Sequence, residues 1–171
     1  MNAEQRRSQI LTCLEQAQRA VSATALAKQF SVSRQIIVGD VALLRAAGSE
    51  IVATPKGYVL QSMHAKDGIT HMIACFHDGA DMEKELNICV DHGCTVIDVV
   101  VEHPVYGQLV GLLEVSTRYD VSQFMKKVKE QSAHALSELT DGVHLHTLKC
   151  PDEEAFIRVK EALKEAGLLY R

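Results

Sequence analysis

The hydrophobic pattern of this chain changes character near residue 60 of its 171 residues. Before that point, apolar residues recur at helical spacing in three segments, which are followed by two short strand-like pieces. After it, segments with strand and helix patterns alternate to the end of the sequence. A chain of ordinary globular composition that changes its pattern in this way is expected to form two small domains of different architecture.

The charge changes at the same place. The whole chain has a formal net charge of −4, which by itself argues against a nucleic-acid partner. Residues 1–60 nevertheless contain seven Lys or Arg and four Asp or Glu, whereas residues 61–171 contain eleven and eighteen. A basic domain therefore precedes an acidic one. We predict domains at 1–61 and 68–171, joined through the polar segment 61–68.

The first domain has the layout of a winged helix-turn-helix. Its predicted elements are helices at 3–18, 23–30 and 34–47 and short strands at 50–54 and 57–60. Ser22 and Ser33 immediately precede the second and third helices, where a serine side chain can accept a hydrogen bond from an unpaired backbone N–H. Ile37, Val41 and Leu44 fall at helical spacing and are expected to face the core.

The third helix of such a domain enters the major groove of DNA, and its first residues reach the base edges. Here those residues are Arg34 and Gln35, which are chemically suited to guanine and adenine. The further candidates, for phosphate or minor-groove contacts, are Thr24, Ser31, Ser33 and, at the tip of the wing, Lys56. We therefore predict double-stranded operator DNA as a partner. The alternative is a three-helix interaction module in which Arg34 lies in solvent.

The segments LAKQFSVSRQ, ALLRAAG and ATPKGYVL resemble the DNA-binding domain of biotin-repressor-type regulators. Gly39 departs from the pattern, because chains with this resemblance usually carry a longer polar side chain at that point of the recognition helix. A glycine inside a helix costs about 1 kcal/mol relative to alanine. The departure puts one base contact in doubt and leaves the domain assignment unchanged.

The second domain is predicted to be a ferredoxin-like α/β sandwich, which makes the whole chain an α+β protein. The predicted strands are 70–76, 95–103, 105–115 and 142–150, and the predicted helices are 80–93, 122–136 and 152–166. The order is β-α-β-β-α-β-α, and its first six elements match a split βαβ pair. In that fold the first and last strands are antiparallel neighbours, and the second strand runs parallel to the first.

This topology brings histidines from distant parts of the sequence to one rim. His77 follows the first strand, His103 ends the second, and His144 and His146 begin the last strand on one face. Glu85 lies near the start of the helix that leaves the same rim. Imidazole and carboxylate groups suit zinc, nickel or iron, so we predict a divalent metal site here. The other histidines, for which ordinary hydrogen bonding is expected, are His64, His71, His92 and His134.

The motifs FHDG, VEHPVYG and LSELTDGVHLH resemble those of the 3H domain. Together with the winged helix, they resemble the niacin-responsive transcriptional repressor family of Gram-positive bacteria and their relatives. The resemblance implies a repressor of niacin uptake or NAD biosynthesis genes that senses nicotinic acid. It also implies that His77, Glu85, His144 and His146 are the metal ligands, with His103 nearer the effector.

Nicotinic acid offers a carboxylate and a pyridine ring. His103 or Arg118 could pair with the carboxylate, and Tyr106 could stack on the ring or donate its hydroxyl. A sensor must bind its effector differently in two states, and we expect a homodimer in which the acidic domain supplies most of the interface.

Other functions remain open at this point. The protein could sense the metal ion alone, or its second domain could only dimerise. A metal-dependent hydrolase would need a general base, for which Asp78 and Asp81 are the near candidates.

The location is predicted from what the sequence lacks. There is no apolar run of the roughly 18 residues that a membrane span needs, and no signal-peptide pattern at the N-terminus. We therefore expect a cytoplasmic protein without a membrane partner. Its five cysteines show no CxxC spacing and are expected to be free thiols.

Overall fold

The computed structural model describes residues 2–61 and 68–170. The chain divides into two compact units, Met1–Lys66 and Asp67–Arg171. Most of the predicted junction at 61–68 lies outside the described residues, as does His64.

The first unit contains three helices and a hairpin. They are α1 (Ala3–Gln16), α2 (Ala23–Gln29), α3 (Arg34–Ala46), β1 (Ile51–Thr54) and β2 (Gly57–Leu60). The predicted N-caps are present, because Ser22 Oγ accepts from Ala25 N–H and Ser33 Oγ accepts from Ile36 N–H. The predicted winged helix-turn-helix layout is confirmed, with the helix ends within two residues of their expected positions.

In this unit the third helix is held by apolar packing and by a buried ion pair. Ile37, Val41 and Leu44 are buried against α1 and α2, as their spacing predicts. In addition, Asp40 is only 4% exposed and accepts a hydrogen bond from Arg6 Nε at 2.6 Å. A buried carboxylate needs such a partner, so this ion pair ties α3 to α1.

The wing is held against the chain between α1 and α2. Val21 pairs with Tyr58, which adds an isolated bridge to the hairpin. Gly57 has a φ of +137°, and a Cβ at this position would lie 2.4 Å from the carbonyl oxygen of Val21. Only glycine fits this close approach, so the KGY turn of the wing depends on Gly57.

The second unit contains four strands and three helices. They are β3 (Ile69–Phe76), α4 (Met82–Asp91), β4 (Thr95–His103), β5 (Gly107–Val115), α5 (Arg118–Glu130), β6 (Val143–Cys150) and α6 (Glu153–Glu165). Their order along the chain is the predicted one. The expected class, a winged helix-turn-helix followed by a sheet with packed helices, is confirmed.

The strand order differs from that of a ferredoxin-like sheet. The order is β3-β6-β4-β5 with antiparallel neighbours, so the last strand lies between the first and the second. In the ferredoxin-like order the third strand occupies that place. The residues predicted to meet at one rim still do so, because β3 and β6 are neighbours and β4 runs parallel to β3.

Helix α5 begins four residues earlier than predicted. Thr117 and Asp120 form a capping box that starts the helix at Arg118, and the helix ends at Glu130 instead of Leu136. A separate 3₁₀ turn, Leu136–Thr140, then leads into β6. The predicted helix thus extended six residues beyond Glu130, as far as the first residue of this turn.

The prediction of five free thiols is wrong for one pair. Cys94 and Cys150 form a disulfide, and both are buried. They meet because Thr95 is paired with Lys149, which places the two cysteines opposite each other at the ends of β4 and β6. The remaining cysteines, which are free, are Cys13, Cys75 and Cys89.

Within the described residues, no helix combines the length and the apolar character required to cross a membrane.

Candidate metal centre

Glu85 is the centre of a buried cluster with three histidines. His77 follows β3, Glu85 lies in the first turn of α4, and His144 and His146 lie on β6. The side chain of Glu85 is 1% exposed, and those of the three histidines are 4% or less. The sequence prediction that these four residues meet at one rim is confirmed by this arrangement; their binding of a metal remains a prediction.

Each of the three imidazoles points its Nε2 at the Glu85 carboxylate. The distance to Oε2 is 2.6 Å from His77, 3.2 Å from His144 and 3.3 Å from His146. His144 Nε2 is also 3.2 Å from Oε1. Four side chains from three elements thus place their donor atoms around one point.

The opposite nitrogen of each ring is held by the backbone. The Nδ1 of His77 faces the carbonyl oxygen of Asp78 at 2.6 Å, that of His144 faces Gly142 at 2.9 Å, and that of His146 faces Asp98 at 2.6 Å. A carbonyl can only accept, so Nδ1 carries a proton in all three rings. In a neutral imidazole this leaves the lone pair on Nε2, which is the arrangement that metal-binding histidines require.

The electrostatics of the cluster favour the charged forms of Glu85, His77 and His146. Burial opposes the charged form of Glu85, but the charge of His146 and the hydrogen bonds from the imidazoles outweigh it and hold its pKa well below the ordinary value. Burial also acts to lower the pKa of His77 and His146, yet the hydrogen bonds and charge of Glu85 raise the pKa of both overall.

The cluster fits a divalent cation on its own chemistry. Three imidazole nitrogens with a fixed tautomer and one carboxylate form a common donor set for zinc, nickel or iron. Without a cation, three ring nitrogens converge on a single carboxylate in a buried space. One further donor was missed by sequence reasoning: the thiol of Cys75, a carboxylate oxygen of Glu85 and a ring nitrogen of His144 lie within 4.8 Å of one another.

The three predicted effector residues are not all close to one another. His103 and Tyr106 are neighbours, with ring centroids 5.0 Å apart, and the Nδ1 of His103 accepts hydrogen bonds from the backbone of the following turn. Arg118 instead follows the far end of β5, since β5 starts opposite His103 and ends opposite Val96. It is exposed and pairs with Asp91 at 2.5 Å. Within one chain Arg118 therefore does not lie with His103 and Tyr106, because it begins a helix at the other end of the sheet. Binding of the effector by any of the three remains a prediction.

The other histidines have ordinary partners, as expected. His71 pairs with Glu153 and stacks on Phe156, and His134 pairs with Glu138. The Nδ1 of His92 faces the carbonyl oxygen of Ile88.

The predicted DNA-contacting side chains are exposed on the first unit. They are Thr24, Ser31, Ser33, Arg34, Gln35 and Lys56. Ser33 already accepts a hydrogen bond as the N-cap of α3, but its hydroxyl proton can still be donated to a phosphate. These residues therefore have the exposure that the prediction requires, and their contacts with DNA remain a prediction.

Arg19 is a further cation that sequence reasoning did not single out. It lies with Lys56 and Ser22 on an open groove of about 660 Å³ between the α1–α2 connection and the wing. Two cationic side chains beside a winged hairpin favour contact with a phosphate backbone.

Comparisons with known proteins agree with both units. The HTH domain family matches residues 6–59, and the 3H domain family matches residues 70–171. Over 168 residues the chain is 45% identical to the transcription repressor NadR of Bacillus subtilis, with 97% of this chain and 93% of that protein covered. It is 41% identical to the probable transcription repressor NiaR of Thermotoga maritima, with 97% and 94% covered. These matches confirm the resemblance carried by the sequence motifs: the chain belongs to the family of transcription repressors in which an HTH domain is followed by a 3H domain.

Proposed function

We propose that this protein represses niacin uptake or NAD biosynthesis genes, with nicotinic acid as co-repressor and a divalent metal ion in its 3H domain. The protein would bind its operator in the cytoplasm, tightly when nicotinic acid is abundant and weakly when it is scarce. The observation that supports the metal most directly is the convergence of three Nε2 atoms on Glu85, with every Nδ1 held by a backbone carbonyl.

Family membership accounts for one part of this function, the regulation of transcription by DNA binding. A chain with an HTH domain and close similarity to transcription repressors is a DNA-binding regulator and not an enzyme. The hydrolase alternative is therefore dropped. Asp78, which it would have used as a general base, accepts a hydrogen bond from Ala80 N–H and caps the turn before α4.

His77, Glu85, His144 and His146 would hold the ion. When bound, it would supply positive charge with which the carboxylate or pyridine nitrogen of nicotinic acid can interact. His103, which ends β4 at the same rim, and Tyr106, which lies in the turn after it, would provide the remaining polar and aromatic contacts. Arg118 is not assigned to this site, because it is paired with Asp91 at the other end of the sheet.

A second candidate is a regulator that responds to the metal ion alone. It is favoured by the separation of Arg118 from His103 and Tyr106, which leaves two of the three predicted effector residues together. The two candidates share the metal centre and differ only in the organic ligand.

We propose a homodimer formed through the 3H domain. Met72 and Phe76 on β3 and Val110 on β5 are each at least half exposed. The register places them on one face of the sheet, because Val110 is opposite Val100, which is opposite Leu145, which is opposite Ala74. An exposed apolar face of this kind is typical of a subunit interface. Two winged helices in one dimer would match an operator with two half-sites.

Calorimetry with purified protein separates the candidates. Nicotinic acid is titrated into metal-loaded protein and into protein stripped with a chelator, with nicotinamide as the control ligand. The co-repressor proposal predicts saturable binding of nicotinic acid that is lost or weakened in the stripped protein. Binding of metal without any binding of nicotinic acid would contradict it and favour the metal-only regulator.

A further inference from the structure

Cys75 lies beside the proposed metal ligands and has no role in the function described so far. It is on β3, fully buried, and directly opposite His144 on β6. Since Cys75 and His77 are two residues apart at the end of the strand, their side chains point to the same side. The cysteine therefore faces the Glu85 cluster and not the outer surface of the sheet.

The thiol is within reach of the cluster. Its sulfur, a carboxylate oxygen of Glu85 and a ring nitrogen of His144 are mutually within 4.8 Å. Burial raises the pKa of the Cys75 thiol, and the charge and hydrogen bond of Glu85 raise it further.

The charge of the site makes a second anionic donor useful. Three neutral imidazoles and one carboxylate leave a divalent ion with an uncompensated positive charge in a buried place. Among the described residues of the second unit, Glu85 is the one buried carboxylate. A thiolate at Cys75 would neutralise the remaining charge, and buried charges are stable only when they are paired.

We propose that Cys75 is a fifth ligand of this centre and that its sulfur makes the site prefer thiophilic divalent ions, such as zinc and cobalt, over magnesium and manganese. The sulfur–metal bond forms as the S–H bond breaks, and the proton leaves to the solvent. Thiolate ligands are soft donors that discriminate in this direction. The inference rests on the proposed metal site and adds a ligand to it.

Cobalt(II) is the probe for the sulfur ligand. Chelator-stripped protein is titrated with cobalt as wild type, as Cys75→Ser and as Cys89→Ser. Cys89 is the matched control, because it is also a free, fully buried thiol of the same unit. We expect a thiolate-to-cobalt charge-transfer band in the near ultraviolet for wild type and Cys89→Ser. Cys75→Ser should lose this band and keep the weaker visible bands of bound cobalt.

Each outcome is decisive. Bound cobalt without the charge-transfer band in wild type, or a band that persists in Cys75→Ser, would overturn the sulfur ligand while leaving the histidine and glutamate site in place. Failure of wild type to bind cobalt in equilibrium dialysis would overturn the metal site itself. If Cys75→Ser does not fold, X-ray absorption of zinc-loaded wild type decides, with a sulfur neighbour at about 2.3 Å expected.

The preference for soft ions gives a second readout. Zinc affinity should fall more than about tenfold in Cys75→Ser, whereas manganese affinity should stay within a factor of about two. Equal losses for both ions would contradict the selective role.

Discussion

His77 Nε2 lies 2.6 Å from Glu85 Oε2, and this short contact joins the end of β3 to the first turn of α4. The connection between them contains Asp78, whose carbonyl oxygen accepts from the other ring nitrogen of His77. The two contacts fix both the position and the tautomer of the imidazole. The same pattern is repeated by His144 and His146 on β6, so the cluster is preorganised around Glu85.

Replacing His144 and His146 with alanine is expected to abolish metal binding. Both rings contribute an Nε2 to the centre, and the remaining His77 and Glu85 are too few ligands for a tight site. Metal analysis after dialysis against zinc or nickel should fall from one ion per chain to none. His71→Ala is the matched control, because His71 pairs with Glu153 outside the cluster. A double variant that keeps its full metal load would refute the ligand assignment.

The stability of the metal-free 3H domain should depend on pH through the same cluster. Glu85 has a lowered pKa, so it stabilises the fold above its ordinary value of 4.5 and loses this effect as the pH falls further. His77 and His146 have raised pKa values, so they stabilise below their ordinary value of 6.5 and lose this effect as the pH rises through the folded values. The unfolding free energy of stripped protein should therefore decrease when the pH rises from about 5.5 to about 8.5.

Chemical denaturation at the two pH values measures this effect. In Glu85→Gln the neutral amide no longer raises the pKa of the histidines, so the decrease should become smaller. A stripped wild type whose 3H domain is more stable at the higher pH would contradict the charged cluster. Metal affinity should show the opposite trend and increase with pH, because protons and the ion compete for Nε2.

The sequence predicted the centre from strand topology but could not predict all of it. The spacing of His144 and His146 places both on one face of a strand, and the position of His77 after the neighbouring strand follows from the fold class. Cys75 was missed because a single apolar-flanked cysteine in a strand is usually a core residue. Its role became visible only from the register that sets it opposite His144.

Two other differences between the sequence prediction and the structure also arise from strand register. The Cys94–Cys150 disulfide depends on the pairing of Thr95 with Lys149, which hydrophobic patterns do not determine. Arg118 was grouped with His103 without knowledge of which end of β5 it would follow. Patterns along the chain identify elements and their faces, whereas register and strand order are set by contacts across the sheet.

Arg34→Ala is expected to weaken recognition of the operator by about 1–3 kcal/mol without changing the fold. The side chain is exposed at the first position of α3, and it makes none of the helix's capping contacts. The measurement compares binding to an operator duplex with binding to a scrambled duplex at one salt concentration. Arg158→Ala, in an exposed position of α6, is the charge-matched control. An equal loss in both variants would show that the effect is only one of net charge.

Two glycines of the first unit should respond to alanine in opposite ways. A Cβ at Gly39 meets nothing within 4 Å, so Gly39→Ala should raise the unfolding free energy by about 1 kcal/mol. A Cβ at Gly57 would lie 2.4 Å from Val21 O in a backbone conformation that favours glycine, so Gly57→Ala should destabilise by at least about 1–3 kcal/mol. Denaturation of the two variants beside wild type tests both. Destabilisation by Gly39→Ala would indicate a packing role that the structure does not show.

The co-repressor mechanism is tested by the affinity of the metal-loaded protein for an operator duplex, measured with and without nicotinic acid. The duplex is selected from a random library by the purified protein, and the ionic strength is held constant because phosphate contacts make affinity salt-dependent. We expect nicotinic acid to tighten binding by about 5–150-fold, the usual range of coupling between two sites, and nicotinamide to leave it unchanged. Equal affinity in the presence and absence of nicotinic acid would contradict the co-repressor mechanism.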